Sequence, residues 1–169
     1  MIFLAGNVRE TVPFRKSNFA GRRRSSRIAD LAVFGEGAML PRMLANARLV
    51  AFGATTDAKR ARAFYEGVLG LQFVSEDDFA IVYDVSGVPL RLQKVAHIEP
   101  QPFTVLGWSV ASIDMTVHEL AAKGAVLERY ASLQQDPRGI WRSPSGAKVA
   151  WLRDPDGNII SLTEPAASA

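Results

Sequence analysis

An internal repeat constrains the fold of this chain more than any other feature of its sequence. The order strand, helix, strand, strand, strand can be read twice, because apolar residues alternate in the strands and recur every three to four residues in the helices. Gly70 and Gly124, which end the two predicted helices, lie 54 residues apart, and Val50 and Val105, in the two first strands, lie 55 apart. A period this long that occurs only twice excludes a solenoid. We therefore expect two similar units that bury their apolar faces against each other.

The second unit is longer than the first. Gly87 and Gly157, which occupy equivalent turns, lie 70 residues apart, so the second copy carries an insertion of about 15 residues. The extra residues fall between Glu128 and Gly146. An insertion that the first unit lacks is a place where binding residues can be added to a rigid scaffold.

The predicted elements of the first unit follow from this pattern. Thr55, Thr56 and Asp57 supply helix-capping side chains. The helix has the apolar face Ala61, Phe64, Tyr65, Val68 and Leu69. The strands are predicted at Leu49–Gly53, Leu71–Ser75, Phe79–Val85 and Val88–Val95.

The second unit follows a proline-containing linker, His97 to Phe103. Ser112 or Asp114 can cap its helix. The helix has the apolar face Ile113, Val117, Leu120 and Ala121. The strands are predicted at Val105–Val110, Val126–Tyr130, Ala147–Arg153 and Ile159–Thr163.

The leading segment differs in charge from the rest of the chain. Residues 1–42 hold eight basic and three acidic residues, a net charge of +5, whereas the remainder carries −2. This segment could be a targeting peptide, an arm that binds nucleic acid or an anionic surface, or a disordered extension upstream of a start at Met43. We favour the disordered extension, because the strands and helices begin only after Met43. The domain itself, residues 43–169, has no basic footprint for nucleic acid.

Two absences narrow the chemistry. The chain has no cysteine, which excludes disulfides, thiolate metal sites and cysteine nucleophiles. No apolar run reaches the roughly 18 residues that suggest a membrane span. We expect a cytoplasmic protein with no membrane partner.

Two stretches resemble the signatures of a known family. AFYEGVLGL, from Ala63 to Leu71, and DPDGNIISL, from Asp154 to Leu162, resemble the signature stretches of the glyoxalase/bleomycin-resistance/dioxygenase superfamily, also called vicinal oxygen chelate proteins. The resemblance covers about Arg48 to Glu164. It implies an α+β fold of paired βαβββ modules, at about 48–96 and 103–164, whose curled sheets enclose a cavity. The family includes metal-dependent enzymes and metal-free binding proteins, so the site residues must decide the chemistry.

The resemblance also places four metal-ligand positions, and none carries a good ligand. They fall at Val50, Arg91, Val105 and Ser161. Valine cannot coordinate a metal, serine is a poor neutral ligand and the arginine cation repels a divalent ion. The two histidines, His97 and His118, fall in the linker and on the polar side of the second helix. We predict no divalent metal and no other cofactor.

Strand alternation indicates what the cavity would hold instead. If Ser161 faces the cavity, the repeat places Arg91 and Gln93 there too, with Leu90 and Leu92 on the buried side. Arg91 suits a carboxylate or phosphate and Gln93 could orient the ligand. The alternative is structural, in which Arg91 pairs with Asp136, Glu128 or a backbone carbonyl.

The insertion supplies further candidates, among them Tyr130, Gln135 and Trp141. A loop rich in glutamine and aromatic residues could close over the cavity as a lid, or it could be a surface loop that Trp141 anchors to the core. Trp108 and Trp151 lie on strands and are predicted to be core residues. Glu128 and Asp136 are candidate general bases, without a decisive signal for either.

These observations support one leading hypothesis and two alternatives. The first is a metal-free protein that binds a small aromatic or anionic molecule, and that could form a homodimer. The second is a glyoxalase-like lyase or related enzyme, using either a metal or an acidic residue as base. The third is an interaction subunit with a vestigial cavity. The predicted ligand-binding residues are Arg91, Gln93, Tyr130, Gln135, Trp141 and Ser161.

Overall fold

The first βαβββ module forms one mixed sheet with a helix. The computed structural model of the chain describes Leu44 and residues 47–167, so the interpretation of residues 1–42 falls outside the described residues. The sheet has the strand order β1-β4-β3-β2, in which β1 runs parallel to β4 and the other neighbours are antiparallel. Its elements are β1 (Ala51–Thr55), α1 (Ala58–Arg62), which continues as a π-helical stretch (Ala63–Val68), β2 (Gln72–Glu76), β3 (Ala80–Val85) and β4 (Val88–Lys94).

The second module repeats this topology. Its sheet has the order β5-β8-β7-β6, and β5 runs parallel to β8. The predicted α+β fold of paired βαβββ modules is therefore confirmed. The elements are β5 (Thr104–Ser109), α2 (Ile113–Ala122), β6 (Trp141–Arg142), β7 (Lys148–Arg153) and β8 (Ile159–Glu164).

Local side-chain chemistry sets the ends of both helices. The Asp57 carboxylate accepts a hydrogen bond from Arg60 N at 3.0 Å, and the Ser112 hydroxyl accepts one from Met115 N at 3.3 Å. Each side chain satisfies a backbone N–H that has no partner within its helix. After α2, Gly124 has φ of +87°, a conformation that favours glycine. In the part of the chain that the structure describes, no helix is long and apolar enough to cross a membrane.

One apolar core joins the two modules. Tyr65 on the first helix and Val117 on α2 are buried in it, together with Leu90 and Leu92 of β4. Ile160 and Leu162 of β8 belong to the same core, so the buried faces of both sheets turn towards the helices. Ala121 is an exception to the predicted helix face, because it is exposed at the end of α2. We call the opposite side of each sheet its open face.

The turn before β8 connects the second module to the first helix. The Asp154 carboxylate is 6% exposed and accepts a hydrogen bond from the Tyr65 hydroxyl at 2.9 Å. Its other oxygen accepts from the backbone N–H groups of Asp156 and Asn158, at 3.0 and 2.8 Å. Burial, together with the neighbouring Asp154 carboxylate, raises the pKa of Tyr65, so the hydroxyl stays protonated and can donate.

Asp156, in the same turn, binds the end of β1. Its carboxylate accepts hydrogen bonds from the hydroxyls of Thr55 and Thr56, at 2.6 and 2.5 Å, and from Thr56 N at 3.0 Å. Burial of the Asp156 carboxyl would raise its pKa, but these hydrogen bonds outweigh burial and the pKa lies below its ordinary value. The turn that carries the second family signature is thus a connection between modules.

The predicted strand Val126–Tyr130 is wrong. Within this segment a single β-bridge forms, between Leu127 and Leu152. The outer neighbour of β7 is instead β6, whose two residues pair with Val149 and Lys148. The reason lies in Gln135, whose amide donates to Glu128 O at 3.0 Å and accepts from Tyr130 N at 2.8 Å. The insertion therefore provides side-chain partners for backbone groups that a continuous strand would have paired.

Candidate functional site

Arg91 lies on the open face of the first sheet. It projects opposite to the buried Leu90 and Leu92, as the alternation of β4 predicted. Its cross-strand neighbours are Phe52 on β1 and Val82 on β3. The Phe52 side chain is 56% exposed. An arginine thus stands between two apolar side chains on a surface that the helices leave uncovered.

The guanidinium of Arg91 has no acidic partner within the described part of the chain. Ion pairs and side-chain hydrogen bonds of Arg91 are absent among these residues. The two acids proposed as structural partners are engaged elsewhere, Asp136 with Arg138 at 3.0 Å and Glu128 with Arg153 at 3.1 Å. The predicted structural pairing with Asp136 or Glu128 is therefore wrong.

The positive charge of Arg91 affects the pKa of one nearby acid, Asp77. Backbone hydrogen bonds from Phe79 and Ala80 lower the pKa of Asp77, and the charge of Arg91 adds to this effect. The two side chains do not form an ion pair. The carboxylate of Asp77 is instead held in its own turn by the two N–H groups, both at 2.8 Å.

Gln93 follows Arg91 on the same face of β4 and is exposed. Its cross-strand neighbours are Ala54 and Ala80, both of which have small side chains. The structure therefore places Arg91 and Gln93 on one open strand face. Their part in ligand binding stays a prediction.

An aromatic cluster covers part of the open face of the second sheet. Tyr130 and Trp151 meet edge to face, with ring centroids 5.4 Å apart, and Trp141 lies 6.1 Å from Trp151 at an angle of 35°. We call these three residues the aromatic cluster. Aromatic side chains in such arrangements offer large apolar surfaces to a planar ligand.

Trp151 is the residue of this cluster that sequence reasoning missed. It was predicted as a core residue, but Ala150 and Leu152 take the buried positions of β7, both with no exposed surface. Trp151 therefore projects to the other side. The same alternation that placed Arg91 could have found it. Trp108, in contrast, packs against the core as predicted.

Ser161 is the cross-strand neighbour of Trp151. On its other side it pairs with Gly107 of β5. A Cβ atom at Gly107 would lie 2.7 Å from the Ser161 hydroxyl oxygen, so the missing side chain is what gives this hydroxyl its space. The structure thus places a small polar group beside the aromatic cluster.

Gln135 holds the backbone of the insertion in place through its side-chain amide. Its amide makes three hydrogen bonds to backbone atoms of the loop, of Glu128, Tyr130 and Gly139, at 2.7 to 3.0 Å. These bonds use both groups of the side chain. The geometry of Gln135 shows a structural role in the loop, and its part in ligand binding stays a prediction.

Asp136 and Glu128 show no arrangement typical of a general base. Burial would raise the pKa of the Asp136 carboxyl, but the hydrogen bond from Ile140 N and those from Arg138 outweigh it, and the pKa is lowered. Glu128 forms an ion pair with Arg153. A base at neutral pH is expected to have a raised carboxyl pKa, whereas the pKa of Asp136 is lowered.

The candidate residues thus form two groups. Tyr130, Gln135 and Trp141 lie together in the second module, where an isolated bridge also joins Gln135 to Trp141. Arg91 and Gln93 lie in the first. Within the residues that the structure describes, no hydrogen bond, ion pair or ring contact joins the two groups.

The residues at the family's metal positions do not fit a metal. Arg91 and Ser161 occupy equivalent places on β4 and β8, and neither is a carboxylate or an imidazole. Val50 and Val105 are partly exposed apolar side chains. Over residues 47–167 there is no group of three or more histidine, aspartate or glutamate side chains placed to hold a metal ion. That the protein binds no divalent metal stays a prediction.

Comparison with known proteins agrees with this architecture. The model of the glyoxalase-like domain family matches residues 49–163. No curated protein matches the sequence.

Solved structures share the fold at low identity. A glyoxalase/bleomycin resistance protein/dioxygenase from Alicyclobacillus acidocaldarius is 16% identical, with a TM-score of 0.55 over 71% of this chain and 92% of that one. The lactoylglutathione lyase of Agrobacterium tumefaciens is 18% identical, with a TM-score of 0.55 over 70% and 93%. A superfamily member from Sphaerobacter thermophilus is 20% identical, with a TM-score of 0.56 over 70% and 96%. At these identities the structures show the fold alone, whereas the family model spans most of the described chain, and the chain belongs to the glyoxalase-like domain family.

Proposed function

We propose that this protein binds a small aromatic molecule with an anionic group on the open faces of its two sheets, without a metal. The observation that carries the proposal is Arg91, a cation on an open strand face with no acidic partner among the described residues. A guanidinium between apolar neighbours suits a carboxylate or phosphate, which it can bind through two parallel hydrogen bonds.

The aromatic cluster is the reason for proposing that the ligand contains an aromatic ring. Trp151 and Trp141 present ring surfaces on the open face of the second sheet, and Tyr130 meets Trp151 edge to face. Ser161 adds a hydroxyl beside these rings. A planar apolar body with one polar end would use both kinds of contact, since ligand sites combine apolar walls with a few placed polar groups.

The test uses naphthalene-1-carboxylate as the probe and naphthalene-1-carboxamide as its neutral counterpart. Binding is measured by calorimetry and by the tryptophan fluorescence that Trp141 and Trp151 contribute. We expect the carboxylate to bind and Arg91→Met to weaken it at least tenfold, because a hydrogen bond to a charged group contributes about 1.5–3 kcal/mol. Arg91→Lys should give an intermediate result, since lysine keeps the charge and loses the planar fork.

The matched control is Lys59→Met. Lys59 is exposed on α1, and its replacement removes one positive charge away from the open faces. It should leave carboxylate binding within twofold of the wild type. Equal binding by wild type and Arg91→Met, or equal weakening by Lys59→Met, would contradict the proposal. One equivalent of bound metal in the purified protein would instead favour the lyase alternative.

A further inference from the structure

A groove lies along α2, on the side of the second sheet opposite to the aromatic cluster. It is an open depression of about 430 Å³ between α2 and the insertion. Ala121, Val126, Leu127 and Pro137 form its apolar floor. Val126 is 79% exposed, so its side chain is open to contact from solvent. We call this depression the α2 groove.

The rim of the α2 groove is basic. His118, Arg129 and Arg138 stand there, and none of the described residues that line the groove is acidic. Arg138 is neutralised from outside the groove, by Asp114 at 2.5 Å and Asp136 at 3.0 Å. The uncompensated cation is therefore Arg129.

Arg129 is fixed in position without losing its charge. Its guanidinium donates to the backbone carbonyls of Asp136, at 2.8 Å, and Pro137. A carbonyl is neutral, so the positive charge has no ionic partner among the described residues. Two of the five N–H groups of the guanidinium are used, and three remain to bind an anion.

We propose that the α2 groove binds a small amphipathic monocarboxylate. Its carbon chain lies on the floor of Val126 and Leu127, and its carboxylate binds the free N–H groups of Arg129. The volume suits a ligand of this size. The charge also matches, because an apolar floor beside a single uncompensated cation complements a molecule with one apolar end and one negative end.

Hydrogen bonds compensate part of the negative charge at the end of α2. Carbonyl groups at a helix end carry partial negative charge. Here the carbonyls of Leu120 and Ala121 accept hydrogen bonds from Ala125 N at 2.9 Å and Gly124 N at 3.0 Å. They are therefore partnered within the chain.

A second depression on the other side of Arg138 lacks these properties. It has a similar volume, about 430 Å³, but two acids, Asp114 and Asp136, line it together with Arg138, Arg142 and Lys148. Lys148 is itself bound to Asp114 at 2.8 Å. The lining of this depression therefore includes two acids, whereas none of the described residues that line the α2 groove is acidic.

The experiment uses octanoate as the probe, with octanamide and acetate as counterparts. Calorimetry and backbone amide shifts measure binding to the full chain. We expect octanoate to bind saturably and to shift the amides of Ala121, Val126 and Leu127. Octanamide lacks the charge and acetate lacks the chain, so each should bind at least tenfold more weakly.

Two matched variants locate the site. Val126→Asp places a negative charge on the floor of the groove and should weaken octanoate at least tenfold. Met115→Asp makes the same kind of change at a 65% exposed side chain on α2 that does not line the groove, and should stay within twofold of the wild type. Both side chains are exposed, so both variants are expected to fold.

Arg91→Met distinguishes binding in the α2 groove from binding at the open faces of the sheets. It should leave the octanoate-induced shifts of the Ala121, Val126 and Leu127 amides unchanged, and Val126→Asp should leave naphthalene-1-carboxylate binding unchanged. The proposal is overturned if octanoate does not shift these amides, if Val126→Asp and Met115→Asp bind it equally, or if Arg91→Met abolishes the shifts of these amides.

Discussion

The hydrogen bond between Tyr65 and Asp154 offers a direct test of how the two modules hold together. Tyr65→Phe removes only the hydroxyl and keeps the ring, which stacks on Tyr83 at 5.8 Å. The lost bond measures 2.9 Å, and both residues are buried, at 2% and 6% exposure. A buried hydrogen bond to a charged group contributes about 1.5–3 kcal/mol.

We expect a cost near the lower half of that range, about 2 kcal/mol, because three other hydrogen bonds to Asp154 remain. For a domain of this size, a loss of about 2 kcal/mol corresponds to a melting temperature lower by roughly 6–10 °C. The assay is urea unfolding followed by tryptophan fluorescence, with thermal melting as a second measurement. An unchanged slope with urea would show that the variant unfolds in the same way.

Tyr83→Phe is the matched control. It removes the same group from the stacked neighbour of Tyr65, but its bond to Glu66 is longer, 3.3 Å, and Glu66 is partly exposed. This bond should contribute less than about 1 kcal/mol. If Tyr65→Phe melts within about 2 °C of the wild type, or if Tyr83→Phe costs as much, the turn before β8 does not join the modules in the way described here.

Two further predictions concern acid and metal. The lowered pKa of Asp156 means that its contribution to stability is present above the ordinary aspartate value of 3.8 and is lost as pH falls through the lower folded pKa. Asp156→Asn should therefore be less stable than the wild type in urea at neutral pH, by a margin that shrinks in acid; a margin independent of pH would contradict the pKa argument. Chelation should leave the melting temperature unchanged, because a metal bound only to the folded state would raise it. A drop with chelator that zinc, nickel or iron restores would overturn the metal-free prediction.

Much of the fold followed from local patterns. Gly70 and Gly124 both adopt positive φ at the ends of their helices, where the repeat predicted them. The alternation of Leu90, Arg91 and Leu92 gave the faces of β4, because burial of one side of a strand fixes the direction of its neighbours. These features depend on residues close in sequence.

The rest depends on partners far apart in the chain. Nothing near Asp154 in the sequence indicates that it accepts a hydrogen bond from Tyr65, 89 residues away. The predicted strand at Val126–Tyr130 failed for a similar reason, because a single glutamine amide takes its backbone partners. Trp151 was missed because a large aromatic residue on a strand is usually a core residue. Here its neighbours Ala150 and Leu152 face the core, so Trp151 faces the opposite side of the strand.

Only part of the candidate site could be predicted from the sequence. Sequence alternation placed Arg91 and Gln93, but it could not tell whether Arg91 had an ionic partner. It also could not show that Gln135 forms hydrogen bonds with its own loop, since polarity alone does not distinguish a side chain that faces a cavity from one that binds its own loop. The α2 groove was not foreseen, because it forms only where the insertion returns to α2.

The outer side of β7 is covered by two separate segments of the chain, and this coverage bears on aggregation. Leu127 covers one part of β7 and Trp141–Arg142 another, and Glu128 N also donates to Trp151 O at 2.7 Å. A strand whose outward backbone groups are already taken cannot serve as a template for a strand of another molecule. Deleting the insertion would expose an edge that carries Val149 and Trp151, an apolar surface with free hydrogen-bonding groups. The loop that adds residues to the second module therefore also protects the outer side of β7 from pairing with a strand of another molecule.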